Sequence, residues 1–94
     1  MDMSEKPVHV IINPKSGHGG QKLLLRELRT EMQRIGRELI EYVTTSPGDA
    51  TRHARRIAPN ASAVIAWGGD GTANEVANGL AGTAVPLLLS LIHI

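Results

Sequence analysis

The sequence predicts an α/β fold, a parallel sheet with helices on both faces, and three observations carry that expectation. Short apolar runs alternate with helical patterns along the chain, the signature of parallel strands joined by crossover helices. Two glycine-rich loops each follow a strand and precede a helix. A third loop, residues 44–49, falls on the same edge of the sheet, where open α/β sheets bind ligands beyond the carboxyl ends of their strands.

The elements follow in order. Residues 8–12 (VHVII) read as a buried strand, ended by Asn13-Pro14. Ser16, Gly17, His18, Gly19 and Gly20 make a glycine-rich loop. Residues 21–35 read as a helix with Leu25, Leu28, Met32 and Ile35 along one face, stopped by Gly36. Residues 38–44 read as a second strand. Ser46-Pro47-Gly48-Asp49 has a capping residue, a proline at the first helical position and an acid three residues after the cap. A helix from there to Ala58 would bury Ala50, Ala54 and Ile57. Pro59-Asn60 is a turn, and residues 63–67 form the third strand. Thr72 then caps a third helix with Glu75 reaching back, a second capping box. Pro86-Leu87-Leu88 begins a fourth strand.

At 94 residues the chain holds one small domain at most. A net charge of +1 implies neither nucleic acid nor an acidic partner. The arginines, spread over helix faces, read as a solvated surface. With no cysteine, disulfides and thiolate metal sites are excluded, which fits an intracellular protein. The four histidines lack zinc-ligand spacing and read as surface or loop residues. No segment reaches membrane-spanning length, so any membrane contact is expected to be peripheral.

Gly68-Gly69-Asp70-Gly71-Thr72, between an apolar strand and an amphipathic helix, is the most informative segment. A strand that stops at glycines and restarts as a helix presents free N–H groups and a positive dipole end to one point. Such a turn suits phosphate. Asp70 is the unexpected member, because a carboxylate facing phosphate repels it unless a metal ion, a hydroxyl or a ribose intervenes.

The chain resembles the N-terminal part of the diacylglycerol kinase catalytic domain, with the bacterial lipid kinases closest in likeness. The carrying residues are Asn13-Pro14-Lys15-Ser16-Gly17, Thr44 with Gly48-Asp49-Ala50, and the run from Gly68 through Asn74, Glu75 and Val76. The resemblance implies an ATP-dependent kinase acting on a lipid hydroxyl such as that of diacylglycerol, with Mg2+ and in the cytoplasm, or peripherally at the inner face of the membrane. It also implies a nucleotide cleft between this domain and a β-rich second domain that carries the main catalytic carboxylate. Asn13, Ser16, Gly17, Thr44, Gly68, Gly69, Asp70, Gly71, Thr72, Asn74 and Glu75 are the nucleotide-binding residues so implied, with Asp70 in a supporting catalytic role. In the family the fourth strand leads to a Gly-Thr-x-Asn-Asp segment, in whose place stand residues 89–94. Those six residues resemble the translated end of a transposase-based sequencing adapter. The expected organisation is therefore a partial kinase domain over residues 1–88 and an adapter-derived tail over residues 89–94, leaving the chain alone inactive.

Each assignment has a plainer alternative. Asp70 could orient magnesium through water, accept the proton of the attacking hydroxyl, or bond its own backbone in a turn. Thr72 and Glu75 are fully explained as a capping box. Asn13 suits a turn, Ser16 a helix cap, Thr44 a strand and Lys15 a mobile surface, while Trp67 reads as packing under the loop. Three further functions compete with a lipid kinase: an NAD-kinase-like phosphotransferase, a non-catalytic nucleotide-binding module, and a truncated chain without stable function.

Overall fold

The computed structural model describes residues 6–16 and 20–89. Strands β1 (Val8–Ile12), β2 (Leu39–Val43), β3 (Ala63–Trp67) and β4 (Leu87–Leu89) alternate with helices α1 (Gly20–Arg34), α2 (Asp49–Ile57) and α3 (Asp70–Leu80). The strands form one parallel sheet in the order β2-β1-β3-β4. The expected α/β sheet is the observed one. From β1 the chain steps outward to β2, and from β3 it steps outward the other way to β4. The direction of winding therefore reverses between β1 and β3, and a crevice opens at such a point.

Side chains alternate across each strand and feed two cores. Val8, Val10, Ile12, Ile65 and Trp67 pack beneath Leu25, Leu28 and Met32 of α1. On the other face Ile11, Val64 and Ala66 meet Ala50 and Ala54 of α2 and Val76 and Leu80 of α3. Covered on both faces, β1 is buried at all five positions. Trp67 has the packing role expected of it.

Ile35 departs from the expected apolar stripe. The helix ends at Arg34, the Gly36 and Arg37 N–H groups close back on Gln33 and Met32, and Gly36 takes φ 75°. That pair of bonds is a Schellman stop, and it leaves Ile35 54% exposed. Leu89 pairs with Ala66 in β4, while residues 90–94 of the expected tail lie outside the described residues.

Both expected capping boxes are corrected. Ser46 makes no cap bond to α2; the Asp49 N–H closes a turn onto the Ser46 carbonyl, with Pro47 second and Gly48 third. Gly48 at φ 82°, ψ −11° has the geometry of the third residue of a type II turn, and α2 starts only after it. α3 starts two residues before Thr72, with Gly69 at the cap position and no side-chain cap bond. Thr72 and Glu75 are thereby both inside the helix.

Two of the four histidines are not surface residues. His9 on β1 and His53 on α2 are buried, and His53 stacks flat on Tyr42 with ring centroids 3.7 Å apart. His53 Nδ1 meets the Arg56 guanidinium at 2.7 Å, so it acts as acceptor. Burial lowers the pKa of His9 against a raising influence from Glu38. Burial, then the Arg56 and His9 charges, lower that of His53 against Asp49. The unfolded chain therefore takes up protons that the folded chain refuses.

The α2–α3 contact depends on one small residue. A Cβ on Gly79 would lie 2.5 Å from the Thr51 carbonyl oxygen and 2.7 Å from Ala54 Cβ. The helices meet backbone to backbone there, and the Thr51 hydroxyl donates across the contact to the Glu75 carbonyl at 2.7 Å.

Gly79→Ala is expected to destabilise by about 1–3 kcal/mol in urea unfolding, because overpacking outweighs the gain of up to about 1 kcal/mol in helix propensity. Stability should be full above the ordinary histidine value of 6.5 and decline as the pH falls below it. Unfolding free energies measured from pH 7.5 downward test this, and His9→Val with His53→Leu should flatten the decline.

Candidate functional site

Register brings the site together. Ile12 of β1 lies beside Val43 of β2 and Trp67 of β3, so three strands end in one row. Two backbone bonds carry the ladder one step further: the Asn13 N–H donates to the Trp67 carbonyl, and the Thr44 N–H to the Ile12 carbonyl, at 2.9 and 2.8 Å. The three following loops leave from the same line.

A cleft of about 190 Å³ lies among them. The β1 loop contributes Asn13, Pro14 and Lys15, and the β2 loop contributes Thr44, Thr45, Ser46 and Pro47. Ala50 of α2 and Thr72 and Glu75 of α3 complete the lining. The convergence of three loops expected from the sequence is observed. Asn13, Thr44, Thr72 and Glu75 of the expected site residues line this cleft. Pro14, Thr45, Ser46, Pro47 and Ala50, none of them an expected ligand contact, line it too, as does Lys15, whose sequence reading weighs a phosphate counter-charge against a mobile surface lysine. Their signal was adjacency, since each lies within a loop or helix start already placed on the rim.

The Asn13 Oδ1 accepts the Lys15 N–H at 3.0 Å, which curls the loop into the short 3-10 turn Pro14–Ser16. Lys15 is exposed at the cleft wall, a surface lysine located where a counter-charge is useful. Gly17 lies outside the described residues. Thr72 is buried in the first turn of α3, and Glu75 is half-buried one turn on. Without a capping box to occupy them, both side chains are available to the cleft.

The Ser16 side chain likewise lies outside the described residues, and Gly68, Gly69, Asp70, Gly71 and Asn74 do not line the cleft. Gly68 is buried at the end of β3, while Gly69, Asp70, Gly71 and Asn74 are exposed at or just inside the start of α3. Asp70 is the first residue of α3, where the helix dipole favours an acid. That start carries no side-chain cap, so its first N–H groups are open to an outside acceptor. A Cβ built on Gly69 or Gly71 meets nothing within 4 Å, and neither residue has positive φ. Neither the packing nor the backbone requires glycine at these positions. Space left open beside bare amide groups is what an approaching anion needs.

The carboxylate of Asp49 binds the outer loop from behind. It accepts the Thr45 N–H at 2.8 Å, the Thr45 hydroxyl at 3.1 Å and the Tyr42 hydroxyl at 2.9 Å. The Thr45 N–H first, then the Tyr42 and Thr45 hydroxyls and the Arg52 charge, hold its pKa below the ordinary carboxylate value against the cost of burial. Its ionised form therefore favours folding above the unfolded pKa, and the contribution fades as pH falls through the folded one.

Comparison with known proteins follows the same lines. Residues 7–92 match the diacylglycerol kinase catalytic domain family. A diacylglycerol kinase of Staphylococcus saprophyticus is 42% identical over 77 residues, 81% of this chain and 25% of the relative. The Bacillus subtilis diacylglycerol kinase matches with the same identity and coverage. The crystal structure of a diacylglycerol kinase from Bacillus anthracis superposes with a TM-score of 0.70 at 32% identity, over 89% of this chain and 31% of that one. The chain thus spans about a quarter of the length of the curated relatives it matches.

Gly71→Ala should leave folding intact and raise stability by about 0.5–1 kcal/mol, since it improves helix propensity where there is room. A lower melting temperature would show that Gly71 has a structural role after all.

Proposed function

This chain belongs to the diacylglycerol kinase catalytic-domain family, and from that premise we propose that its cleft binds the ATP of a lipid kinase. In this reading the γ-phosphate passes to the hydroxyl of a lipid such as diacylglycerol. The observation that carries it is the pair Gly69 and Gly71, small without structural cause, beside an uncapped helix start and a hydroxyl-rich crevice.

The donor set suits a nucleotide. Hydroxyls of Thr44, Ser46 and Thr72, with the Asn13 amide, offer bonds to ribose and phosphate oxygens. Lys15 supplies the positive charge, and the first N–H groups of α3 point their dipoles toward bound phosphate. Among the described residues no group of three or more acidic or histidine side chains is arranged to hold a metal ion. Magnesium would arrive with the nucleotide, and Glu75 is the carboxylate among the described lining residues that would face it. When bound it neutralises the charge that develops on phosphoryl oxygens. Asp70, two residues before Thr72 and exposed, is the acid free to reach the outer side of that phosphate.

The acceptor hydroxyl needs an apolar groove and a base. We assign both to a second domain, in keeping with relatives four times the matched length. Among the described residues no helix is long and apolar enough to cross a membrane. The proposed route to lipid is peripheral contact at the cytoplasmic face.

Calorimetric titration of the 94-residue chain with MgATP tests the nucleotide reading. Wild type should bind, and Gly71→Ala should bind about tenfold more weakly while melting no lower than wild type. No binding by wild type at several millimolar MgATP overturns the reading. With diacylglycerol vesicles and labelled ATP the chain alone should form no phosphatidate, and formation would put the catalytic base within it.

A further inference from the structure

Asp49 has no place among the residues that line the cleft, yet it bonds two that do, Thr45 through its carboxylate and Ser46 through its N–H. Its carboxylate is buried at the first position of α2. Behind it, Tyr42 of edge strand β2 donates its hydroxyl to both oxygens, at 3.0 and 2.9 Å. In front, Thr45 donates both its N–H and its hydroxyl to Oδ2, at 2.8 and 3.1 Å. The left-handed Gly48 makes the turn that brings α2 back to the loop, with the Arg52 guanidinium laid against it. Tyr42 is itself held by stacking on buried His53. One carboxylate thus joins an edge strand, a rim loop and a helix.

We propose that Asp49 is a positioning residue that sets the Thr44–Thr45 wall of the cleft and thereby the affinity for the nucleotide phosphate or ribose held there. The inference rests on the nucleotide reading above. The inner wall needs no such device, because Asn13 and Thr44 are already tied to neighbouring strands through their N–H groups. Thr45 is the first residue of the β2 loop beyond that ladder, and Asp49 supplies the acceptor that the missing neighbour strand would otherwise provide. Hydrogen bonds to a charged acceptor are stronger and shorter than neutral ones. A loop so held meets its ligand with its conformational entropy already lost, and affinity gains from that order.

Three variants of the 94-residue chain test this, with MgATP titrated by calorimetry well below each melt. Asp49→Asn keeps the size of the side chain and removes the charge, and should weaken binding about tenfold. Tyr42→Phe leaves the stack and the lining untouched and removes one donor, and should weaken binding about threefold. Thr45→Val, combined with Asp49→Asn, should weaken binding little beyond Asp49→Asn alone, because the two act through one contact. The Thr45 amide proton, followed by NMR, should move upfield in Asp49→Asn in step with the loss of affinity. A merely stabilising Asp49 would lower the melting temperature and leave the dissociation constant as in wild type; that result overturns the proposal and leaves the nucleotide reading standing. If Asp49→Asn does not fold, Tyr42→Phe decides by the same criterion. No binding by wild type overturns both.

Discussion

The row formed by Ile12, Val43 and Trp67 is the constraint on which the site depends. Parallel strands can be joined only by crossovers, so every strand in this sheet ends on the same edge and each helix begins there. Because the three strands also end in register, their loops start from one line rather than a staircase. The ladder bonds from Asn13 and Thr44 carry the order of the sheet into the first loop residue on each side. A register slip of one residue in β2 would turn its side chains to the other face and carry Thr44 off this line. The cleft is therefore a consequence of strand pairing before it is a consequence of any motif.

The glycines divide by the same logic into those the fold uses and those it leaves unused. Gly79 lets α2 and α3 touch through their backbones, and Gly36, Gly48 and Gly82 adopt positive φ that other residues rarely take. Gly69 and Gly71 do neither. They lower helix or strand propensity at the start of α3 without a packing return. A fold that carries such a local cost at a ligand edge is following the usual pattern of functional sites.

Charge and burial reinforce the division. Asp49 is ionised, surrounded by donors and turned inward to the loop, whereas Asp70 is exposed at a helix start with no hydrogen-bonded partner required for folding. The buried His9 and His53 lie on the same side of the sheet as α2, and their depressed pKa values favour the neutral form of both imidazoles. His53 adds a flat surface on which Tyr42 is stacked. The support of the outer cleft wall thus reaches through three aromatic or acidic side chains into the core.

The sequence by itself determined the parallel α/β class, the strands within a residue or so of their ends, and the edge on which the loops meet, because these follow from apolar periodicity and glycine punctuation. It also carried the family, through Gly68 to Val76 and the loops of Asn13 and Thr44. Tertiary structure decided which polar residues are caps and which are cleft walls. Ser46 and Thr72 have the spacing of N-caps, and short-range spacing cannot tell where a helix starts when a type II turn or a glycine start competes. His9, His53 and Ile35 depart from their local pattern for a related reason: burial depends on which neighbour covers a position, and local pattern does not contain that neighbour. The close contact at Gly79 and the three-donor grip of Asp49 join residues from separate elements, and only packing brings them together.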